Sequence, residues 1–330
     1  MRRRGFITLL AGAATSAVWP RAARAQQPPA MRTIGFLNSA SPGPFAQYVG
    51  GFLKGLGEGG FAVGRNVTIE YRWAEGSYER LPELAADLAR LRPDVIAATG
   101  GEPSGLAAKA ATSSIPIVFA AGGDPVKAGL VTSLNRPVGN LTGISQFTYS
   151  LEAKRLGLLH EMVPASDPIA VLVNRNNPNG PDLVKDLQAA ASQAGVQLLL
   201  MPISTEADLD PAFTTLVEKR VTAALISADP FFNARRARIV AMAARARIAA
   251  MYEFREYAVA GGLMSYGSNL VDGYRQVGVY AARVLNGAKP SELPILQPTI
   301  FELVINLQTA KALGLEIPPM LLARADEVIE

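Results

Sequence analysis

The sequence contains no cysteine. That excludes a disulfide, a thiolate nucleophile, a Cys-ligated metal and a lipidated N-terminal Cys. Histidine is nearly absent as well. The single His160 sits in Leu156-Gly157-Leu158-Leu159-His160-Glu161-Met162, a helical pattern in which it reads as a surface or half-buried side chain. One histidine cannot build a His-based zinc site, and no Ser occupies a G-x-S-x-G nucleophile elbow. No metal ligand set, cofactor motif or catalytic residue is expected. Charge is also scarce, at 18% of residues. The formal net charge of +4 arises in the first 25 residues, which hold Arg2, Arg3, Arg4, Arg21 and Arg24 and no acid; the remainder carries 27 basic and 28 acidic residues. A near-neutral body lacks the clustered Lys and Arg that hold nucleic acid. The local run Arg235, Arg236, Arg238, Arg245 and Arg247 has helical spacing without interleaved aromatics, and reads as a solvated helix face.

Long apolar runs are missing too. Phe6 to Val18 is the longest candidate, and it is too short for a permanent membrane helix. With Arg2-Arg3-Arg4 before it and Ala23-Arg24-Ala25 after it, residues 1–25 read as a cleaved export signal. Arg3-Arg4-Gly5-Phe6-Ile7 also fits a twin-arginine pattern, with an ordinary Sec signal as the alternative. The mature chain is expected to start at Gln26 and to reside in the periplasm.

What the sequence has in abundance is one repeated layout. Ile117-Val118-Phe119 is an apolar run of strand length that stops at Ala120 to Gly123 and turns at Asp124-Pro125, which reads as a helix start. Similar units run from Ile34 to Pro42, Val95 to Pro103, Val171 to Pro178 and Ala224 to Pro230. Apolar strands alternating with helices predict an α/β fold whose parallel sheets are covered on both faces. Ligands in such sheets sit at the carboxyl ends of the strands. The same reading places helix 124 onward, helix 232–245 and strands Met264–Gly267 and Ile300–Ile305, with the last of these completing the first of two similar halves. Gly55-Leu56-Gly57-Glu58-Gly59-Gly60 satisfies G-x-G-x-x-G, but it closes a helix and precedes a strand, where glycine terminates a helix and binds no dinucleotide.

Several stretches together carry a family resemblance. They are Arg24-Ala25-Gln26-Gln27-Pro28, Ile34-Gly35-Phe36-Leu37-Asn38, Ile69-Glu70-Tyr71-Arg72-Trp73-Ala74, Gly122-Gly123-Asp124-Pro125, Ala228-Asp229-Pro230-Phe231-Phe232, Gly261 to Gly267 and Phe301 to Leu307. In combination they resemble bacterial ABC-transporter substrate-binding proteins of the tryptophan-binding-protein-like family, over essentially the whole chain. The resemblance implies a type I periplasmic binding fold: two Rossmann-like lobes joined by a hinge. Lobe 1 is expected to comprise residues 31–145 plus 268–330, and lobe 2 residues 146–267. It also implies a monomer that passes a small-molecule solute to an ABC permease and ATPase. It does not fix the solute.

By position, the cleft would present Ser39, Ser41, Thr99, Gly100, Gly101, Gly122 and Asp124 from the first lobe. The second would present Asn176, Asp229, Phe231, Tyr252, Arg255 and Tyr266. Asp124 and Asp229 precede proline and also suit plain helix caps. Thr99-Gly100-Gly101 is either a tight turn or an anion cradle at a helix start. Arg255 is either a carboxylate clamp or a partner of Glu253 and Glu256. These loops point to a small organic acid or amino acid with its head in lobe 1. Two alternatives remain at this stage: a periplasmic α/β enzyme using carboxylates such as Asp124 and Asp229, and a sensor subunit presenting the occupied cleft to a receptor.

Overall fold

A computed structural model describes residues 31–164 and 168–330. The export signal and cleavage site expected from the sequence lie outside the described residues. Met31–Glu330 form one compact unit containing two sheets.

The first sheet uses β1 (Arg32–Asn38), β2 (Val67–Trp73), β3 (Val95–Thr99), β4 (Ile117–Ala121) and β5 (Leu141–Ser145), with α1 (Pro42–Glu58), α2 (Leu81–Arg90) and α3 (Glu102–Ala111) between strands. All its pairings are parallel, in the order β2-β1-β3-β4-β5. β3, β4 and β5 are buried at every position, which is why they read as unbroken apolar or small-residue runs.

The chain then crosses to α4 (Glu152–Met162), β6 (Ile169–Asn174), α5 (Gly180–Ala194), β7 (Leu198–Ile203), α6 (Leu209–Glu218) and β8 (Ala223–Ile226). After these come α7 (Pro230–Ala234), α8 (Arg236–Arg245), β9 (Ala249–Tyr252), α9 (Arg255–Val259) and β10 (Met264–Gly267). It returns to the first lobe in α10 (Leu270–Leu285), which packs against α1. It ends in the second lobe with β11 (Glu302–Asn306), α11 (Leu307–Leu313), α12 (Pro319–Leu322) and β12 (Glu327–Ile329). The second sheet runs β7-β6-β8-β9-β10, repeating the strand order of the first, and is extended by β11 and β12.

Three expectations change here. The strand expected at Ile300–Ile305 does not complete the first sheet: β11 pairs antiparallel with β10, opposing Met264 to Ile305 and Gly267 to Glu302. Residues 268–330 therefore divide between the lobes rather than joining lobe 1 as a block. No helix follows Asp124; its carboxylate accepts from the N–H groups of Val126 and Lys127, and the segment stays a turn that reaches Gly129 at φ 72°. The helix expected over Phe232–Arg245 breaks at Arg235, whose φ of −109° and ψ of 15° separate α7 from α8.

Three passes link the lobes. Ser268 in the second donates to the carbonyl and to Oε1 of Gln146 in the first, at 3.2 and 3.0 Å. Leu296, before the third, exchanges backbone hydrogen bonds with β5. None of the described helices is long and apolar enough to cross a membrane.

Candidate ligand site between the lobes

Strand order reverses between β1 and β3 in one sheet and between β6 and β8 in the other. At such a switch point the loops on the carboxyl ends diverge and leave a crevice. The loops after β3, β4, β8 and β9 meet there around a cavity of about 50 Å³. Phe45 of α1, Leu270 and Tyr274 of α10, Tyr149 of the first crossing, and Pro230 and Phe254 of the second lobe supply most of its wall. The polar lining includes Gln146, Thr148, Asn233, Asp229 and Glu253, with no Lys or Arg.

The two lobes are in contact around this space. Tyr78, on the turn after β2, donates to Asp229 at 2.7 Å. Tyr48 of α1 and Asn233 of α7 lie at hydrogen-bond distance, 3.3 Å. Arg236 donates to the carbonyl of Pro44 at 3.0 Å, and Lys127 pairs with Asp182 at 2.7 Å. The conformation is closed. A cavity of this size is smaller than the roughly 150 Å³ that admits benzene. A ring-bearing solute therefore needs the lobes to part and the lining side chains to shift.

Of the residues named from sequence, Gly100, Gly101, Gly122 and Asp229 line the cavity. Gly100 is held at φ 79°, and a Cβ there would come within 2.7 Å of Asn38 and Ser39. Ser39 and Thr99 stand behind the lining: Ser39 donates to the carbonyl of Gly100, and Thr99 accepts from Asn38 at 2.9 Å. Ser41 is the residue before α1. Asn176 donates to Ser204 on the exterior of the second lobe, and Asp124 caps its own turn.

Phe231 is buried between the Arg235 guanidinium, 3.9 Å from its ring centroid, and the lobe-1 loop at Gly76. Tyr252 lies in the second-lobe core, stacked on Tyr257 with centroids 4.6 Å apart. Tyr266 packs on Phe301, and its carbonyl accepts from Arg155. Arg255 points away from the cleft and forms a two-pronged pair with Glu327, at 2.5 and 2.6 Å. It is therefore not a clamp in this structure, because β12 brings a carboxylate to it from the last strand. Asp124 and Asp229 form no carboxylate pair either, since one is exposed and the other buried.

Sequence reasoning missed Phe45, Gln146, Tyr149, Asn233 and Tyr274; it placed Glu253 in a cleft loop, with pairing to Arg255 as the alternative, and did not name it as a site residue. Phe45, Asn233 and Tyr274 sit on helices, where position along the chain does not say which face meets the other lobe. Gln146 and Tyr149 sit on a crossing that carries no loop signature.

The electrostatics of the site are acidic. Asp229 is saturated: Oδ1 accepts from Tyr78, Asn174 at 3.0 Å and the N–H of Phe231, and Oδ2 from Asn177 at 2.7 Å. Burial raises its pKa, and those four donors oppose the shift. Glu102 opens α3 and turns its buried carboxylate onto the N–H of Gly123. Its pKa too is raised by burial. The helix start after Thr99-Gly100-Gly101 thus already faces a carboxyl group of the protein. Glu253 is pushed well above the carboxylate range, chiefly by burial. The Tyr274 hydroxyl, which accepts from Asn38 at 3.0 Å, is pushed up to about 12 by burial.

The family model for "ABC transporter substrate binding protein" matches residues 40–329. The chain belongs to this family. It is 28% identical over 266 residues to a tyrosine-binding protein of Clostridioides difficile strain R20291, covering 81% of this chain and 76% of that one. Among solved structures, a conserved domain protein of Vibrio cholerae superposes with a TM-score of 0.82 at 27% identity, over 90% of this chain and 99% of that one. An ABC domain from Streptococcus pneumonia, solved in complex with L-Trp, gives 0.80 at 24% identity, over 91% and 100%. The architecture of this substrate-binding protein is the type I periplasmic binding fold.

Proposed function

We propose that this protein is the periplasmic solute receptor of an ABC uptake system. It binds one small amino-acid-like solute in the interlobe cavity and hands it unchanged to a membrane permease driven by an ATPase. The observation that carries the reading is the closed, largely apolar cavity at the switch points of both sheets, with hydrogen bonds from one lobe to the other around it. Apolar walls with a few convergent polar groups are the usual make-up of a small-molecule site. A tyrosine-binding relative and an L-Trp complex of the same fold point to amino acids. The acidic lining argues against an organic acid that carries no positive charge.

Thermal unfolding of the exported protein against amino acids, aromatic acids, sugars and ureides tests this. A solute at 100 times its Kd stabilises the fold by roughly 2.7 kcal/mol, which gives a clear shift. The amino acids should produce it, and mass spectrometry should recover them unaltered. A shift seen only alongside product formation would favour an enzyme, and a shift confined to sugars would overturn the solute class.

A further inference from the structure

Four buried carboxyl groups cluster at or behind the cavity: Asp229, Glu102, Glu152 and Glu253. They are not equivalent. Asp229 accepts four hydrogen bonds from the protein. Glu102 is turned onto Gly123. Glu152 accepts from the N–H of Ala228 at 2.6 Å and pairs with Arg155 at 3.2 Å. Oε2 of Glu102, Oε2 of Glu152 and Oε1 of Glu253 all lack a hydrogen-bond partner, but of these three residues Glu253, 3% exposed, is the one that lines the cavity. Leaving a buried acceptor unsatisfied costs about 1–3 kcal/mol, more if it is charged. A site that holds such a group in its wall is complemented by a solute that brings the donor.

We infer that Glu253 is the counter-charge for a cationic nitrogen on the solute, so that the site selects amino acids over the same acids lacking the amino group. This rests on the solute-receptor reading and narrows it. The immediate surroundings supply no competing cation inside the cavity. Arg155 and Glu152 face Glu253 from α4, Asp229 from the loop after β8, Tyr149 from the first crossing and Tyr257 from α9. Arg155 is engaged through Nε and Nη1 by Glu152 and by the carbonyls of Thr148 and Tyr266; its Nη2 has no partner, and it stands outside the cavity lining. Gln146 is on the same lining, and its Nε2, which also lacks a partner, lies against Gly273 of α10.

Burial favours the neutral carboxyl in the empty site, whereas an ammonium favours the carboxylate. Binding therefore drives the Glu253 proton toward solvent as the ion pair forms. Affinity should rise with pH, by up to about tenfold per unit below the free-state pKa of Glu253.

The test is calorimetric titration of the wild-type protein with L-leucine, 4-methylpentanoate, L-tyrosine and 3-(4-hydroxyphenyl)propionate at pH 6, in phosphate and in a buffer of high ionisation enthalpy. At least one amino acid should bind tenfold or more tighter than its des-amino partner, with net release of protons. Glu253→Gln, which is neutral and of the same shape, should lose tenfold or more for that amino acid and release no proton. Equal affinity for acid and amino acid, or binding without proton release, overturns the role of Glu253 and leaves the receptor reading intact. Binding of none of the four overturns the amino-acid reading itself. The wild-type results decide the matter even if the variant fails to fold.

Discussion

Arg155 has no solvent exposure, and its hydrogen bonds tie α4 to the first crossing and to β10. Nη1 donates to Thr148, Nε to Tyr266, and the guanidinium pairs with Glu152. Removing one partner of a buried ion pair leaves the other charge uncompensated, at a cost of about 3–5 kcal/mol. Arg155→Ala should therefore lower stability by that amount, read as a fall in the urea midpoint. Arg255→Ala is the contrast. Its pair with Glu327 is solvent-exposed, worth roughly 0–1 kcal/mol, so solute affinity and the urea midpoint should both hold. The sequence singled out Arg255 because its loop was placed at the cleft by position, where an Arg could clamp a carboxylate. Nothing local marks Arg155, whose pattern Glu152-Ala153-Lys154-Arg155 reads as an ordinary exposed helix start. Burial of a charge is decided by tertiary packing, so it leaves no trace in the local pattern.

At the level of elements, α1 and α10 cross at glycine positions. A Cβ on Gly55 would lie 1.9 Å from the carbonyl oxygen of Arg275, and one on Gly278 would lie 2.1 Å from that of Phe52. The G-x-G-x-x-G run thus serves helix contact at Gly55 as well as helix termination at Gly59, which the sequence alone did not separate. Gly55→Ala should force the helices apart and destabilise by about 1–3 kcal/mol or more. Gly57→Ala, in the same helix with open space around it, should stabilise by roughly 0.5–1 kcal/mol. Chemical denaturation of the two variants checks both signs. The strand-to-loop units were legible because fully buried strands must be apolar and their carboxyl-end turns must be small. The lobe to which β11 belongs was not legible. An antiparallel partner for β10 is chosen by which sheet edge the returning chain meets, and Glu302 to Asn306 would suit either sheet.

For the molecule as a whole, two sets of acids set the response to pH. Glu102, Glu152, Asp229, Glu253 and Glu256 have raised pKa values, burial being the main cause in each. Their contribution to stability is complete below their ordinary values and is lost as pH rises through the raised ones. Asp87, Asp182, Glu206 and Glu327 are lowered by basic partners, and Asp208 by the N–H groups of Ser204 and Thr205. Theirs is present above the ordinary values and is lost as pH falls through the lowered ones. Without solute, the thermal midpoint should peak near about pH 5 and fall on both sides. A midpoint that climbs steadily from pH 5 to pH 8 would contradict the buried-acid account.

The central claim is that a solute sits between the lobes and holds them closed. The chain has no cysteine, so Lys127→Cys with Asp182→Cys places two unique labels across the cleft mouth, at a pair 2.7 Å apart in the closed form. The exposed ion pair lost in making them contributes little. With pyrene on both positions, excimer emission should rise as an amino acid that binds is added, and should saturate at one solute per chain. Saturable binding with unchanged excimer emission would place the solute outside the interlobe cavity and contradict the account.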